Sequence, residues 1–407
     1  MGCLKPAWSM PRVDLSKYAG REQAYVKHCL LEDYLSKWSY IVGNSSWDSL
    51  VYVDGFVGPW GTSDENFEDA SFGIAVRVLN NAVDGLWETH GKSVRGLCVF
   101  VEKKPDAFAQ LEAFANSRTT DRVRAVAMQG RFVQNIAAIE GQISLVGNNP
   151  FKFVFLDQKG WAATPMNSLR PFLRNRSCEV LFNLMTSFLT RFVEAEGREA
   201  SYDALFGRPG VLEKIRALPK GTGEREEAAV REYCKSLRDV CGFQYISQAV
   251  IVDPNKEKVR YYLIFATNSP RGVEVFKGAE IVAADVQNDV RYEASVKKTG
   301  QPDLFAEISC PKSRLIYELR HRYLRLAQEK IIGILSTVSR GECVTYGDLF
   351  CEAMAFPLVT PDDLVGMLGA LVPRIEFRLE GERRKKPAAT KNDFVLVHHP
   401  EQLRLSE

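Results

Sequence analysis

The sequence predicts a mixed α/β protein: a largely parallel sheet with helices on both faces, then a smaller unit of helices and a hairpin. Two observations carry this. Apolar runs of strand length alternate with amphipathic helical stretches over the first two thirds of the chain, the pattern of strands buried on both faces. Around residues 290–311 the composition shifts, and the remaining residues read as three helices and two strands around a basic loop, the make-up of a winged helix-turn-helix. A chain of 407 residues, 45% hydrophobic and 26% charged, is long enough for two or three globular domains with real cores.

In chain order, residues 23–41 set Val26, Leu30, Leu31, Tyr34, Leu35 and Trp38 at spacings of three and four, an amphipathic helix. SLVYVDGF is a β-rich run ending in Asp54 and a glycine, and residues 71–83 form the next helix. GLCVFVEKKP is a second strand before a helix at 106–115, VRAVAMQG a third before a helix at 133–139, and FKFVFLDQKG a fourth. CEVLFNLM is a fifth strand, followed by the helical SFLTRFVEA. Residues 205–223, rich in Gly, Pro and charge, leave the sheet. The chain returns through a helix at 226–240 into an antiparallel hairpin, residues 245–252 and VRYYLIFATN, which caps the sheet edge. The expected organisation is a helical segment at 1–45, a sheet domain at 46–289, a linker at 290–312 and a winged-helix domain at 313–407.

Composition removes several classes. No window holds the ~18 apolar residues of a membrane span, and the N-terminus has no signal-like apolar core, so a cytoplasmic protein without membrane contact is expected. Nine scattered cysteines without a CxxC pair and five histidines point to reduced thiols and to no metal centre. With a net charge of +2, any basic footprint must be local. GxSxG, P-loop and HExxH strings are missing, which removes several hydrolase and nucleotide-triphosphatase readings.

Ligands of parallel α/β sheets sit beyond the carboxyl ends of the strands, where Asp54, Glu102, Gln129 and Asp157 fall. A nucleoside ligand needs a turn free of side chains, a carboxylate for its ribose and a slot for its base. Gly55, Gly58 and Gly61 supply the turn, Glu102 the carboxylate and Gln129 an edge for the base. Asp54 beside the turn repels phosphate and suits a cationic or zwitterionic ligand, which favours S-adenosylmethionine over NAD. Asn183, at the end of the fifth strand, either faces the cleft or is a buried amide satisfied by backbone.

The ordered strings YLSKW, YVDGFVGPWG, FVEKKP, FLDQKG, SCEVLFNLM and RYYLIFATNSPRG resemble the three-Cys-motif partner proteins over about residues 20–280. That resemblance implies a bacterial protein with a Rossmann-like class I methyltransferase core, encoded beside a small radical-SAM-like three-Cys protein. It places Asp54, Gly55, Phe56, Gly58 and Gly61 at the cofactor turn, and Asp157, in the loop that holds a target amine, as the catalytic group. Two departures stand out. Trp60 occupies the place of the second glycine, and Gln158-Lys159 replaces the proline and aromatic of the amine loop, where Trp161 is either a substitute stacking ring or a core residue.

Three functions are therefore expected in order: an S-adenosylmethionine-dependent methyltransferase-like protein acting on or near nucleic acid, a degenerate scaffold that partners the radical-SAM-like protein, and a metal-dependent nuclease built on Glu102-x-Lys104 with Asp84. Nucleic acid would meet the basic hairpin tip, Arg383, Arg384, Lys385 and Lys386. The helix at 361–372 opens with Asp362 and Asp363 and carries no basic residue, which argues against sequence reading through it.

Overall fold

A computed structural model describes residues 15–58, 67–158, 160, 163–221, 223–299, 313–381 and 384–403. Seven strands form one sheet in the order β3-β2-β1-β4-β5-β7-β6. They are β1 (Ser49–Asp54), β2 (Arg95–Glu102), β3 (Val123–Gln129), β4 (Pro150–Leu156), β5 (Cys178–Leu184), β6 (Tyr245–Val252) and β7 (Val259–Thr267). β1 to β5 pair in parallel, and β7 runs antiparallel to both of its neighbours, β5 and β6. The sheet is thus doubly wound and Rossmann-like, with its switch point between β1 and β4.

Strand residues alternate between two cores. Leu50, Tyr52, Cys98, Phe100, Phe153 and Phe155 face one layer, and Val51, Val53, Leu97, Val99, Val154 and Leu156 face the other. The first layer is made by α1 (Glu22–Gly43), α2 (Ser71–His90), α3 (Pro105–Arg118) and α10 (Pro270–Thr299). The segment expected as a unit at 1–45 therefore contributes α1 to the sheet's own core, with Leu30, Leu31 and Leu35 fully buried. The opposite layer holds α4 (Phe132–Val146), α5 (Met166–Leu173), α6 (Thr186–Arg191), α7 (Glu199–Phe206), α8 (Val211–Arg216) and α9 (Glu224–Asp239).

α10 also corrects the expected linker at 290–312. The helix runs on to Thr299, because Val290 is buried in the first core and the Arg291 guanidinium donates to the carbonyls of Asp253 and Lys256 in the β6–β7 turn. Residues 300–312 lie outside the described ones.

The last unit contains α11 (Arg314–Ser336), α12 (Tyr346–Ala353) and α13 (Pro361–Gly369), with a three-stranded antiparallel sheet in the order β8 (Cys343–Thr345), β10 (Phe394–Val397), β9 (Ile375–Arg378). Thr360 and Asp363 form a capping box at the start of α13. The unit is packed onto the sheet domain. Ser247 Oγ donates to the Met354 carbonyl at 2.6 Å, the hydroxyls of Tyr262 and Tyr323 meet at 3.2 Å, and Arg322 pairs with Glu227 at 2.7 Å. One apolar core runs from β5 through β7 into α11 and α12.

Candidate functional site at the carboxyl ends of the strands

Register fixes the layout. Asp54 lies opposite Phe100 on β2 and Phe155 on β4, so Glu102 and Asp157 stand two positions beyond it on either side and share its face. Leu181 faces the same layer, which brings Asn183 of β5 to this face as well. The chain leaving β1 stays on the sheet: Gly55 N donates to the Phe155 carbonyl at 3.0 Å and Val57 N to that of Val101 at 3.1 Å.

Glycine at 55 answers a packing demand. A Cβ there would lie 2.6 Å from Leu156 Cδ2 and 3.0 Å from the Phe132 ring, whereas one at Gly58 would meet nothing within 4 Å among the described residues. Phe56 packs half-buried beside Phe132, with ring centroids 6.1 Å apart. Gly73 makes a closer approach than either turn glycine: a Cβ would sit 2.0 Å from the Phe67 carbonyl oxygen, so this helix-opening glycine lets the preceding segment close onto α2.

Asp54, expected to face a cationic ligand, is fully buried and occupied by its own turn. It accepts from Phe56 N at 3.1 Å, Ser71 Oγ at 2.6 Å and Tyr52 Oη at 3.4 Å, tying β1 to the start of α2. Burial pushes its carboxyl up to about 6, against the hydrogen bonds from Ser71 and Phe56, which lower it. An acid raised in the folded state adds stability below its unfolded value near ~4 and loses it as pH climbs through the folded value. Asp54→Asn should therefore flatten the stability profile between about pH 4 and 6, a slope worth roughly 3 kcal/mol in the native chain. Denaturant melts at steps across that range test it; an unchanged slope means that Asp54 does not titrate there.

Glu102 is 4% exposed. Its Oε1 accepts from Lys104 N at 2.7 Å, and its other oxygen has no hydrogen bond among the described residues. Gln129 is in register with Glu102 and exposed, on the edge strand.

Asp157 is engaged at both oxygens. Lys27 Nζ, reaching over from α1, donates to Oδ2, and Asn183 Nδ2 donates to Oδ1 at 2.5 Å. Burial raises its carboxyl, but the Lys27 charge and the bonds from Lys27 and Asn183 outweigh this and hold it below the ordinary carboxylate range. Next to Lys27 lies His28, whose Nδ1 is 2.9 Å from Tyr18 Oη; burial, helped by the Lys27 charge, pushes its imidazole down to about 3, so it is neutral. Asn183 is neither an open cleft amide nor satisfied by backbone. Among the described residues its Oδ1 is buried without a partner, as are Gln158 Oε1 and Thr164 Oγ1, which follow Asp157 in the chain.

Lys27 is the residue the sequence reading missed, and a signal for it exists. Positions 27, 31, 34 and 38 form one buried helical stripe, Lys27, Leu31, Tyr34 and Trp38, of which the last three are hydrophobic. A lysine on an apolar stripe needs a partner across the core.

The other expected residues separate. Gly61, Trp60, Lys159, Trp161 and Arg383 lie outside the described residues. Arg384 does not present a free cation, because it pairs at 2.6 Å with the buried Asp393, which also accepts from Glu380 N and Ala388 N and so shapes the hairpin tip. Lys386 pairs with Asp362 at 2.7 Å in solvent, and Lys385 is exposed. Asp84, the upstream acid of the nuclease reading, pairs with Arg122 at the start of β3, the end of the sheet opposite Glu102. With β2 about 25 Å long at ~3.3 Å per residue, the two acids cannot share a metal. Among the described residues no group of three or more His, Cys, Asp or Glu is placed to hold one.

Two cavities lie away from the strand ends. One of about 310 Å³ is lined by Asn255, Glu257, Arg291 and Tyr292, and one of about 440 Å³ by Glu112, Asn116 and Arg124 beside β3. No described helix is long and apolar enough to cross a membrane.

No protein-family model matches the chain, and no curated protein does. Among solved structures it is similar to a loganic acid methyltransferase with SAH, at 8% identity over 70% of this chain and 90% of that one, with a TM-score of 0.28. A likeness that loose bears on neither the fold nor the function.

Proposed function

We propose that the chain is an S-adenosylmethionine-binding, methyltransferase-like protein of the three-Cys-motif partner type, with its ligand at the carboxyl ends of β1 and β2. The observation that carries this reading is the sheet itself. Its order, with only β7 reversed between β5 and β6, departs from the 3-2-1-4-5-6 order of dinucleotide binders and supports a class I methyltransferase-type core.

The residues fit an adenosyl ligand in part. Glu102 accepts from Lys104 N with one carboxylate oxygen, and among the described residues its other oxygen and the flank of Gly58 have no neighbour that would exclude a ribose. Asp54 serves by fixing the turn. When bound, S-adenosylmethionine supplies an electrophilic methyl group, and the chain's share is to position an acceptor near it.

A second reading, the scaffold that partners a radical-SAM-like three-Cys protein, is favoured by the engagement of both Asp157 oxygens by the chain's own Lys27 and Asn183. In either case the C-terminal unit reads as a winged helix. Contact with nucleic acid would then rest on the exposed Arg378, Lys385 and Lys391, since Arg384 and Lys386 are paired.

Calorimetric titration with S-adenosylhomocysteine tests the proposal. The native chain should bind saturably, and Glu102→Ala should bind about 10- to 100-fold more weakly, the effect of one charge-assisted hydrogen bond. Lack of binding at millimolar ligand removes the adenosyl site and leaves the scaffold.

A further inference from the structure

The rim around the carboxyl ends of the strands carries cations that no carboxylate of the described chain neutralises. On one flank Lys103 and Lys104 follow β2 and Arg131 follows β3, two strands in register at Glu102 and Gln129. On the other flank the chain leaves β5 into α6, which Arg191 ends, and Arg198 stands just before α7. All five are exposed, and among the described residues none has an ion pair. The acids beside them are largely spent: Glu194 holds Lys220 and Arg225, and Glu199 holds Arg216. Asp106 and Glu196 are left as exposed acids, one on each flank. Elsewhere on the surface Arg122, Arg314 and Lys386 are each paired with a carboxylate.

The second flank adds aromatic faces. The Arg191 guanidinium stands 5.5 Å from the centre of the Phe188 ring, and that of Arg198 stands 5.4 Å from the centre of the Phe192 ring. Both rings are half-buried. Guanidinium planes and aromatic rings are platforms on which unpaired bases stack, and the guanidinium charge suits the phosphate that follows each base. β1 and β4 lie between the flanks, which sets them about 14–19 Å apart at ~4.8 Å per strand. The end of β1, where the proposed adenosyl ligand lies, falls within that interval.

We propose that a single-stranded nucleic acid lies across the carboxyl ends of the sheet, its phosphates on Lys103, Lys104 and Arg131 and its bases stacked at Phe188–Arg191 and Phe192–Arg198. Bases of a duplex are stacked on one another and do not reach such platforms, so the surface selects unpaired strands. It is a second surface beside the C-terminal hairpin, on the face where the function proposed above puts its chemistry. The link to methyl transfer rests on that reading; strand binding does not.

The probe is a fluorescently labelled oligothymidine of about 12 nucleotides, titrated by anisotropy against the full chain without cofactor. It should bind, with affinity falling as salt rises, and an unlabelled blunt duplex should compete poorly. Lys103→Gln/Lys104→Gln/Arg131→Gln should lower the slope of log affinity against log salt by about 2, at ~0.7 for each phosphate lost. Phe188→Leu/Phe192→Leu should weaken binding by about 10-fold or more at an unchanged slope, since stacking releases no counterions. If that variant does not fold, Arg191→Gln/Arg198→Gln replaces it and should lose affinity together with about 1.4 of slope. The proposal is overturned by an absence of binding at low salt, or by equal losses when the same charge is taken from the exposed Lys235, Lys298 and Arg340. Losses confined to Arg378→Gln/Lys385→Gln/Lys391→Gln overturn it as well. Oligothymidine binding without S-adenosylhomocysteine binding would leave this surface standing and remove methyl transfer; the converse would remove the surface and leave the adenosyl site.

Discussion

Asp157→Ala should destabilise the protein by about 3 kcal/mol, the usual cost of leaving one partner of a buried ion pair alone. The loss should exceed that of Lys27→Met, because the two partners are unequally buried. The Lys27 side chain is 8% exposed and Asp157 is 25% exposed. Without Asp157 the ammonium is stranded in the core beside the neutral His28, while without Lys27 the carboxylate still has Asn183 and some solvent. The sign with pH is set by the direction of the shift: a carboxyl depressed in the folded state contributes stability above its unfolded value near ~4, and that contribution disappears as pH falls through the lower folded value. Chemical denaturation at pH 7 ranks the variants. A larger loss from Lys27→Met than from Asp157→Ala would contradict the placement of the pair.

A loss of similar size, about 3–5 kcal/mol, is expected for Glu280→Ala. Glu280 and Lys277, one turn apart on α10, are 2% and 0% exposed and form an ion pair facing the C-terminal unit. Glu280 Oε1 accepts from Leu358 N at 2.7 Å, and Lys277 Nζ donates to the Phe356 carbonyl at 3.0 Å. Burial lowers the lysine and raises the glutamate, each opposed by the other. Removing the glutamate leaves a buried cation and an orphaned backbone N–H. The double variant Lys277→Met/Glu280→Leu should recover the part of the loss that comes from the stranded cation, since apolar replacements of a buried pair are often neutral, and keep the part that comes from the Leu358 N–H. A double variant as unstable as Glu280→Ala would mean that the pair does more than satisfy itself.

The sheet was legible because its strands are short, apolar and buried on both faces, so that each of β1 to β7 coincides to within a residue at its start with a run visible in the sequence. Helix ends were less so. The expected end of α2 at 83 is overrun to His90 because the amphipathic pattern fades before Gly91, in the left-handed conformation, stops the helix. α10 crosses a composition shift that signals a linker, since the contacts that extend it, Val290 in the core and Arg291 on a distant turn, leave no local trace. At the site, strand-end acids were visible one by one, but their partners were not. Lys27 meets Asp157 from 130 positions away, and nothing local marks Asp54 as taken by Ser71. Charge counting also overstated the basic hairpin, where Arg384 is bound inward by an aspartate nine positions on.

The central claim is that an adenosyl ligand lies at the carboxyl ends of β1 and β2, and crystals grown with S-adenosylhomocysteine test it most directly. The expected result is ligand density against Gly58 with a ribose hydroxyl on the Glu102 oxygen that does not bind Lys104 N. Density elsewhere on the molecule, or none at saturating ligand, would contradict it.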